Sequence, residues 1–325
     1  VKLASLRAGR DGRLVVVDRA LQRCVAVPQV AATLQDALDD WARAAPALRS
    51  VAHALEHGRV AAEMPFDPGA CAAPLPRAHH WVDGSAYVNH VELVRKARGA
   101  DMPPSFWTDP LVYQGGSDDL LGPCEPARFV SEAHGIDLEA EVAVITDDVP
   151  MGTTPADALA HIQLLVLVND WSLRNLIPAE LAKGFGFYQS KPATGFSPVA
   201  ITPDELGPAW RDARVHRPLV SHINGALFGQ PDAGTDMTFS FADLIAHITK
   251  TRRAGAGTVV GSGTVSNYDR SRGSSCLAEV RTLEQIEHGA PRTPFLQFGD
   301  RVRIEMFDAE GASLFGAIDQ VVTPA

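Results

Sequence analysis

The stretch Asp137-Leu138-Glu139-Ala140-Glu141-Val142-Ala143-Val144-Ile145 carries two signals at once. Val142 to Ile145 is an apolar run rich in β-branched residues, which predicts a buried strand. Strand side chains alternate between faces, so Asp137, Glu139 and Glu141 are expected to share one face. Carboxylates crowded where a buried strand starts repel one another and lose hydration. A hard divalent cation removes both penalties, because Mg²⁺ and Ca²⁺ prefer carboxylate oxygens. A solvated acidic strand end is the other reading, and the stretch alone leaves the two open.

Working outward, Leu164 to Val168 is a second apolar run, ending in Asn169-Asp170-Trp171-Ser172. Asp170 is therefore expected where a buried strand stops. Residues 184–198 read as a loop holding Lys191 and Thr194. Upstream, residues 81–98 read as a strand end and turn, then a helix from about Ala86 with Tyr87, Val91 and Val94 inward. Residues 99–135 are Gly-, Pro- and Asp-rich, and an irregular connection of that length is more often functional than idle. Downstream, Asn224-Gly225 signals a hairpin, and Ser240 with Asp243 caps a helix to about Arg252. Gly261-Ser262-Gly263-Thr264 is a turn. Val302, Ile304 and Met306 alternate inward, and a last strand runs from Leu314 to Val322. The chain's first part has short strands at Leu14–Val17 and Cys24–Val27. A helix follows, capped by Thr33 and Asp36, with Leu34, Ala37, Leu38, Trp41 and Ala45 on one face. Pro46 is expected to start another helix that Gly58 ends. Residues 62–80 read as a linker, giving a small N-terminal domain (1–75) and a larger domain (76–325). The large domain is expected to be α+β and β-rich. Its strands do not alternate regularly with helices, against a doubly wound fold.

The 325 residues suffice for a sizeable core. A net charge of −10 argues against general nucleic-acid binding, and means that an anionic substrate must be drawn in by local positive charge. The four cysteines are far apart with no Cys-x-x-Cys pair, as expected of reduced thiols. No stretch approaches the roughly 18 apolar residues of a membrane span, and residues 1–7 lack a signal-peptide core, so cytoplasm is the default expectation.

Five motifs occur in order: Asp83-x₆-His90, Asp137-x-Glu139-x-Glu141, Asn169-Asp170-Trp171-Ser172-x-Arg174, Lys191-x-x-Thr194-x-x-Ser197-Pro198 and Gly261-Ser262-Gly263-Thr264. Together they resemble the fumarylacetoacetate hydrolase family, over roughly residues 80–325, with short bacterial fumarylacetoacetases as the nearest kind. The resemblance implies a mixed β-roll or barrel-like catalytic domain behind a small N-terminal domain, and a homodimer. It makes Asp83, Glu139, Glu141 and Asp170 metal ligands, with Mg²⁺ first and Ca²⁺ or Mn²⁺ as alternatives. His90 would be the general base, oriented by Glu279 or by Glu92. Lys191 and Arg174 would offset the carboxylates and take part in catalysis. Ser85, Tyr113, Arg174 and Thr264 would contact substrate. Ser85 stands where the family often has Tyr, and Ile177 where it often has Gln. The implied reaction is carbon–carbon bond hydrolysis in a small anionic β-diketo acid. Fumarylacetoacetate, giving fumarate and acetoacetate in tyrosine catabolism, is the leading candidate. Acylpyruvate hydrolysis, oxaloacetate decarboxylation and hydroxymuconate isomerisation or decarboxylation are the alternatives within the family.

Overall fold

The computed structural model describes residues 1–97 and 101–325, without the side chains of Val94 and Ala97. The inward placement expected of Val94 therefore lies outside the described residues. The fold is β-rich α+β, built on a twelve-stranded mixed sheet and a five-stranded sheet. Its strand order is open, with no closed barrel among the described residues. No helix of the described residues is long and apolar enough to cross a membrane.

The centre of the large sheet is the antiparallel pair Ala140–Thr146 and Ile162–Asn169. Both apolar runs form strands as expected, and they are continuous runs because both faces are covered. Val142, Val144, Leu165 and Leu167 point into a core shared with the second sheet. Ala143, Ile145, Leu164, Val166 and Val168 point into another, shared with the first fifty-odd residues. The period-2 alternation thus sorts the side chains between two cores.

The N-terminal segment extends this sheet. Lys2–Leu6 pairs antiparallel with Ala200–Ile201, and Arg13–Val17 and Arg23–Ala26 follow outward. Thr33 and Asp36 make the reciprocal capping bonds, and Leu34, Ala37 and Leu38 are buried. The next helix differs from expectation. It runs Trp41–Glu56, with Pro46 inside it and not at its start. Pro46 removes one intrahelical donor. Trp41, Ala44, Ala45 and Leu48, buried on both sides of it, hold the helix together across that gap.

The expected hairpin forms between Leu219–Ile223 and Ala226–Gly229, with positive φ at Asn224 and Gly225. Val302, Ile304 and Met306 are fully buried on Arg301–Met306. The last strand is Ile318–Pro324, starting four residues after Leu314. Ser240 and Asp243 cap a helix that stops at Ile248, short of Arg252. The helix Leu277–His288, ended by a left-handed Gly289, was not anticipated.

Asp137, Glu139 and Glu141 do not line one continuous strand. Ile136–Asp137 pairs with Ser172–Leu173 in a separate two-stranded sheet, and the large sheet takes over only at Ala140. The break at Leu138-Glu139 sends the three carboxylates to different partners.

Candidate active site

Strand order assembles the carboxylates. Val259–Gly261 lies between Ala140–Thr146 and Trp81–Gly84, pairing antiparallel with the first and parallel with the second. Gly261 is in register with Asp83. A Cβ on Gly261 would come within 2.4 Å of Asp83 Oδ1, and one on Gly263 within 2.2 Å of the Gly84 carbonyl. Gly263 also has φ +73°, which favours glycine. Its N–H donates to Asp83 Oδ1 at 2.9 Å. The glycines of this turn are what let it close against Asp83. Asp170 follows the last residue of Ile162–Asn169, and its N–H donates to the Glu139 carbonyl at 3.0 Å.

Asp83, Glu141 and Asp170 each offer an oxygen such that all three lie within 4.8 Å of one another, and all three residues are buried. Both carboxylate oxygens of Glu141 are buried without a hydrogen-bond partner among the described residues. Burial, then Asp83 and Asp170, pushes the Glu141 carboxyl well above its usual range. Burial, then Asp170, pushes Asp83 up to about 8. Orphaned buried carboxylate oxygens aimed at two more carboxylates fit a hard divalent cation, and an all-oxygen donor set disfavours zinc. Glu139 stands outside this triad. It accepts from Lys191 Nζ at 2.5 Å and from the Arg174 guanidinium at 2.6 Å. Burial opposes ionisation of Glu139, but Lys191 and Arg174 prevail and hold its carboxyl at about 2.

Two bases balance the cluster. Lys191 also donates to Asp170 at 2.7 Å, and burial is outweighed there by Asp170 and Glu139, which raise its pKa. Arg174 bridges Glu139 to Asp137 at 2.8 Å. Asp137, fully buried, in turn accepts the Leu277 and Ala278 N–H groups at 2.7 and 2.9 Å. It therefore docks the start of the helix Leu277–His288 against the acidic segment. Thr194 Oγ1 donates to Asp170 at 2.9 Å, and the Tyr113 hydroxyl donates to its other oxygen. The Tyr113 ring packs edge-on against Phe187.

His90 lies in the first turn of Val88–Ala97 and faces Glu279, in the first turn of Leu277–His288. Its Nδ1 is 2.7 Å from Glu279 Oε2. Ser266, Ser274 and Arg270 also donate to the fully buried Glu279. Burial opposes its charge, but His90 leads the contacts that lower its pKa overall. An ionised carboxylate only accepts, so Nδ1 is the donor, and in the neutral imidazole that arrangement leaves the lone pair on Nε2. Glu92 points elsewhere and accepts from the exposed Tyr268 hydroxyl at 3.0 Å. Of the two glutamates, the fold brings Glu279 to His90.

A cavity of about 640 Å³ opens onto this arrangement. Asp83, Ser85, His90, Tyr113, Glu139, Arg174, Lys191 and Thr264 line it, while Glu141 and Asp170 sit behind. Ala278, next to Glu279, lines it as well. Sequence reading missed the outer wall, where Arg95, Phe106, Arg281 and Phe295 join Ile177 and Phe187. An amphipathic repeat after Cys276, stopped by His288-Gly289, was the available signal for the part of that wall that carries Arg281.

Residues 79–323 match the profile described as fumarylacetoacetate (FAA) hydrolase C-terminal, and residues 1–77 match fumarylacetoacetase N-terminal domain 2. The chain belongs to the fumarylacetoacetate hydrolase family. Solved structures of the same fold include a putative HpcE protein from Mycobacterium smegmatis, 20% identical over 100% of both chains with a TM-score of 0.70. A fumarylacetoacetate hydrolase from Exiguobacterium antarcticum is 17% identical, covering 100% of this chain and 99% of its own, with a TM-score of 0.66. A maleylpyruvate hydrolase from Sphingobium sp. SYK-6, solved with manganese(II) and pyruvate, is 16% identical over 100% of both chains with a TM-score of 0.65. No curated protein matches the sequence. As a fumarylacetoacetate hydrolase family member, the chain is an enzyme of the hydrolase or isomerase kind with a site for a divalent cation.

Proposed function

We propose that the protein hydrolyses a carbon–carbon bond in a β-diketo acid, with fumarylacetoacetate, cleaved to fumarate and acetoacetate in tyrosine catabolism, as the leading substrate. The observation that carries this reading is the His90–Glu279 pair facing the same cavity as the carboxylates and Lys191. Asp83, Glu141 and Asp170 would hold the cation, with Glu139 beside them, and Mg²⁺ is our first choice ahead of Mn²⁺ or Ca²⁺. When bound, the cation would supply Lewis-acid polarisation of the substrate's ketone.

Glu279 fixes the histidine tautomer that leaves Nε2 basic. Nε2 takes a proton from water, and the resulting hydroxide adds to the ketone carbon. Lys191 Nζ donates to the oxyanion that forms there. The bond to the neighbouring carbon then breaks, its electron pair going to the departing carbon, which recovers the proton from His90. Arg174 and Lys191 give an otherwise acidic wall the charge that an anionic substrate needs.

His90→Ala should lower kcat by about 10²–10⁴ while cation affinity stays near wild type. Turnover within threefold of wild type would remove His90 as the base. The second reading within the family, isomerisation of a hydroxymuconate-type acid, needs proton transfer but no attacking water. Incorporation of ¹⁸O from water into product separates the two, since only hydrolysis incorporates it by bond cleavage to two acids. We further propose a homodimer, to be checked by sedimentation velocity.

A further inference from the structure

The two helices that bring His90 and Glu279 together also carry two arginines that the reaction above does not use. Val88–Ala97 and Leu277–His288 pack against each other, and each begins at the dyad. On the second helix Ala278, Arg281, Thr282 and Gln285 all line the cavity. Their spacing of three, four and seven residues makes one helical face. At about 1.5 Å per residue, that face runs roughly 10 Å outward from the docked end, with Arg281 about one turn along. On the first helix, Arg95 lies about 7.5 Å further along the axis than His90 by the same measure and lines the same cavity.

Each guanidinium is held in place. Arg281 rests over the Phe295 ring, its Cζ 4.1 Å from the centroid, and donates to the Thr293 carbonyl. Arg95 lies 5.3 Å from the Phe106 centroid, and its Nε donates to the Asp101 carbonyl at 2.7 Å. The third arginine of the cavity, Arg174, is paired with two carboxylates. Arg281 and Arg95 form no salt bridge among the described residues, in a chain of net charge −10. Val91, Ile177, Leu181 and Phe187 add apolar side chains to the same cavity.

We propose that Arg281 and Arg95 form an anion subsite for a second carboxylate, at the end of the substrate remote from its diketo head. Given the function proposed above, on which this inference rests, the substrate is a diacid whose two anionic ends are separated by a flat or apolar spacer. The acidic cluster and Lys191 take the head, the phenylalanines and aliphatic side chains take the spacer, and the two oriented forks take the far carboxylate. A planar guanidinium held on an aromatic ring keeps its outer N–H groups aligned for that bidentate contact.

The test compares fumarylpyruvate with crotonylpyruvate, which replaces the far carboxylate by a methyl group. Binding of both to Mg²⁺-loaded His90→Ala protein is measured by calorimetry, with and without Arg281→Gln or Arg95→Gln. KM for both acids is measured in the otherwise wild-type background. Without either arginine change, the diacid should bind about ten- to a hundredfold more tightly than the monoacid. Arg281→Gln and Arg95→Gln should each erase at least threefold of that preference, with little change for the monoacid. Arg281→Lys should restore part of it, as a point charge without the fork. If both glutamine variants keep the full preference, or weaken both acids equally, the subsite is refuted. If neither acid is turned over but the arginine-dependent preference persists in binding, the hydrolase reading fails and the subsite stands.

Discussion

Glu141 is the residue on which the electrostatics of the site turn. Its carboxylate oxygens are buried and unpartnered among the described residues, with Asp83 and Asp170 close by, so its carboxyl is held well above the usual range. Asp83, at about 8, is also largely protonated at neutral pH when no cation is bound. A divalent cation binds the ionised forms, so loading must release protons. Cation affinity should therefore rise between pH 6 and 8, by up to about tenfold per pH unit for each proton released. Calorimetric titration of chelator-treated protein with Mg²⁺, in buffers of different ionisation heat, reads both the affinity and the proton count. A pH-independent affinity would show the carboxylates to be ionised beforehand. Residue identities at the site were legible because short motifs place acids and glycines at fixed offsets. The division of labour was not. That Glu139 is held by Lys191 and Arg174, and that Tyr113 donates to Asp170, depends on contacts across 35 to 57 residues of sequence.

Among the elements, the segment from Arg174 to Lys191 forms one flank of the cavity, and one carboxylate folds it. Glu180, on the short helix Ile177–Leu181, accepts the N–H groups of Tyr188, Gln189 and Ser190 and the Ser190 hydroxyl. Against a desolvation penalty, these bonds hold its carboxyl at about 2. The folded pKa lies below the ordinary value of about 4.3, so the stabilisation is complete above about 4.3 and is lost as pH falls toward 2. Glu180→Gln should lower Tm at pH 7 by roughly 2–4 °C. It should also flatten the decline of Tm across that acid window, followed by circular dichroism. Equal slopes for the two proteins would discount the anchor. The Thr33–Asp36 cap of helix Leu34–Leu38 and the Asn224-Gly225 hairpin could be read directly, because a capping pair and a turn pair are local chemistry, whereas Trp41 and Ala45, read onto that helix, belong to the next one. Leu277–His288 was missed because its N-cap is Cys276, which makes no side-chain capping bond. What fixes its start is Asp137, 140 residues earlier in the chain, so no local capping signal marks where it begins.

For the whole molecule, the first 75 or so residues and the remainder share one sheet and both cores. Composition could suggest a boundary near residue 75, but not that Lys2–Leu6 would pair with Ala200–Ile201. Such strand pairing between distant segments leaves no periodic trace in either one. A protein comprising only residues 79–325 would expose Ala143, Ile145, Leu164, Val166 and Val168 along the middle of its sheet. It should show no cooperative thermal transition and should aggregate, whereas the full chain should unfold cooperatively without aggregating; a sharp transition in the fragment would show that the shared core is dispensable. One further consequence follows from Val259–Gly261 lying between the strands of Asp83 and Glu141. During synthesis, the ribosome must deliver some 120 residues after Glu141 before that spacer strand exists. A nascent polypeptide that has already exposed Asp83, Glu141 and Asp170 therefore lacks the strand that sets them side by side, and the cation site is completed only once residue 261 has been made.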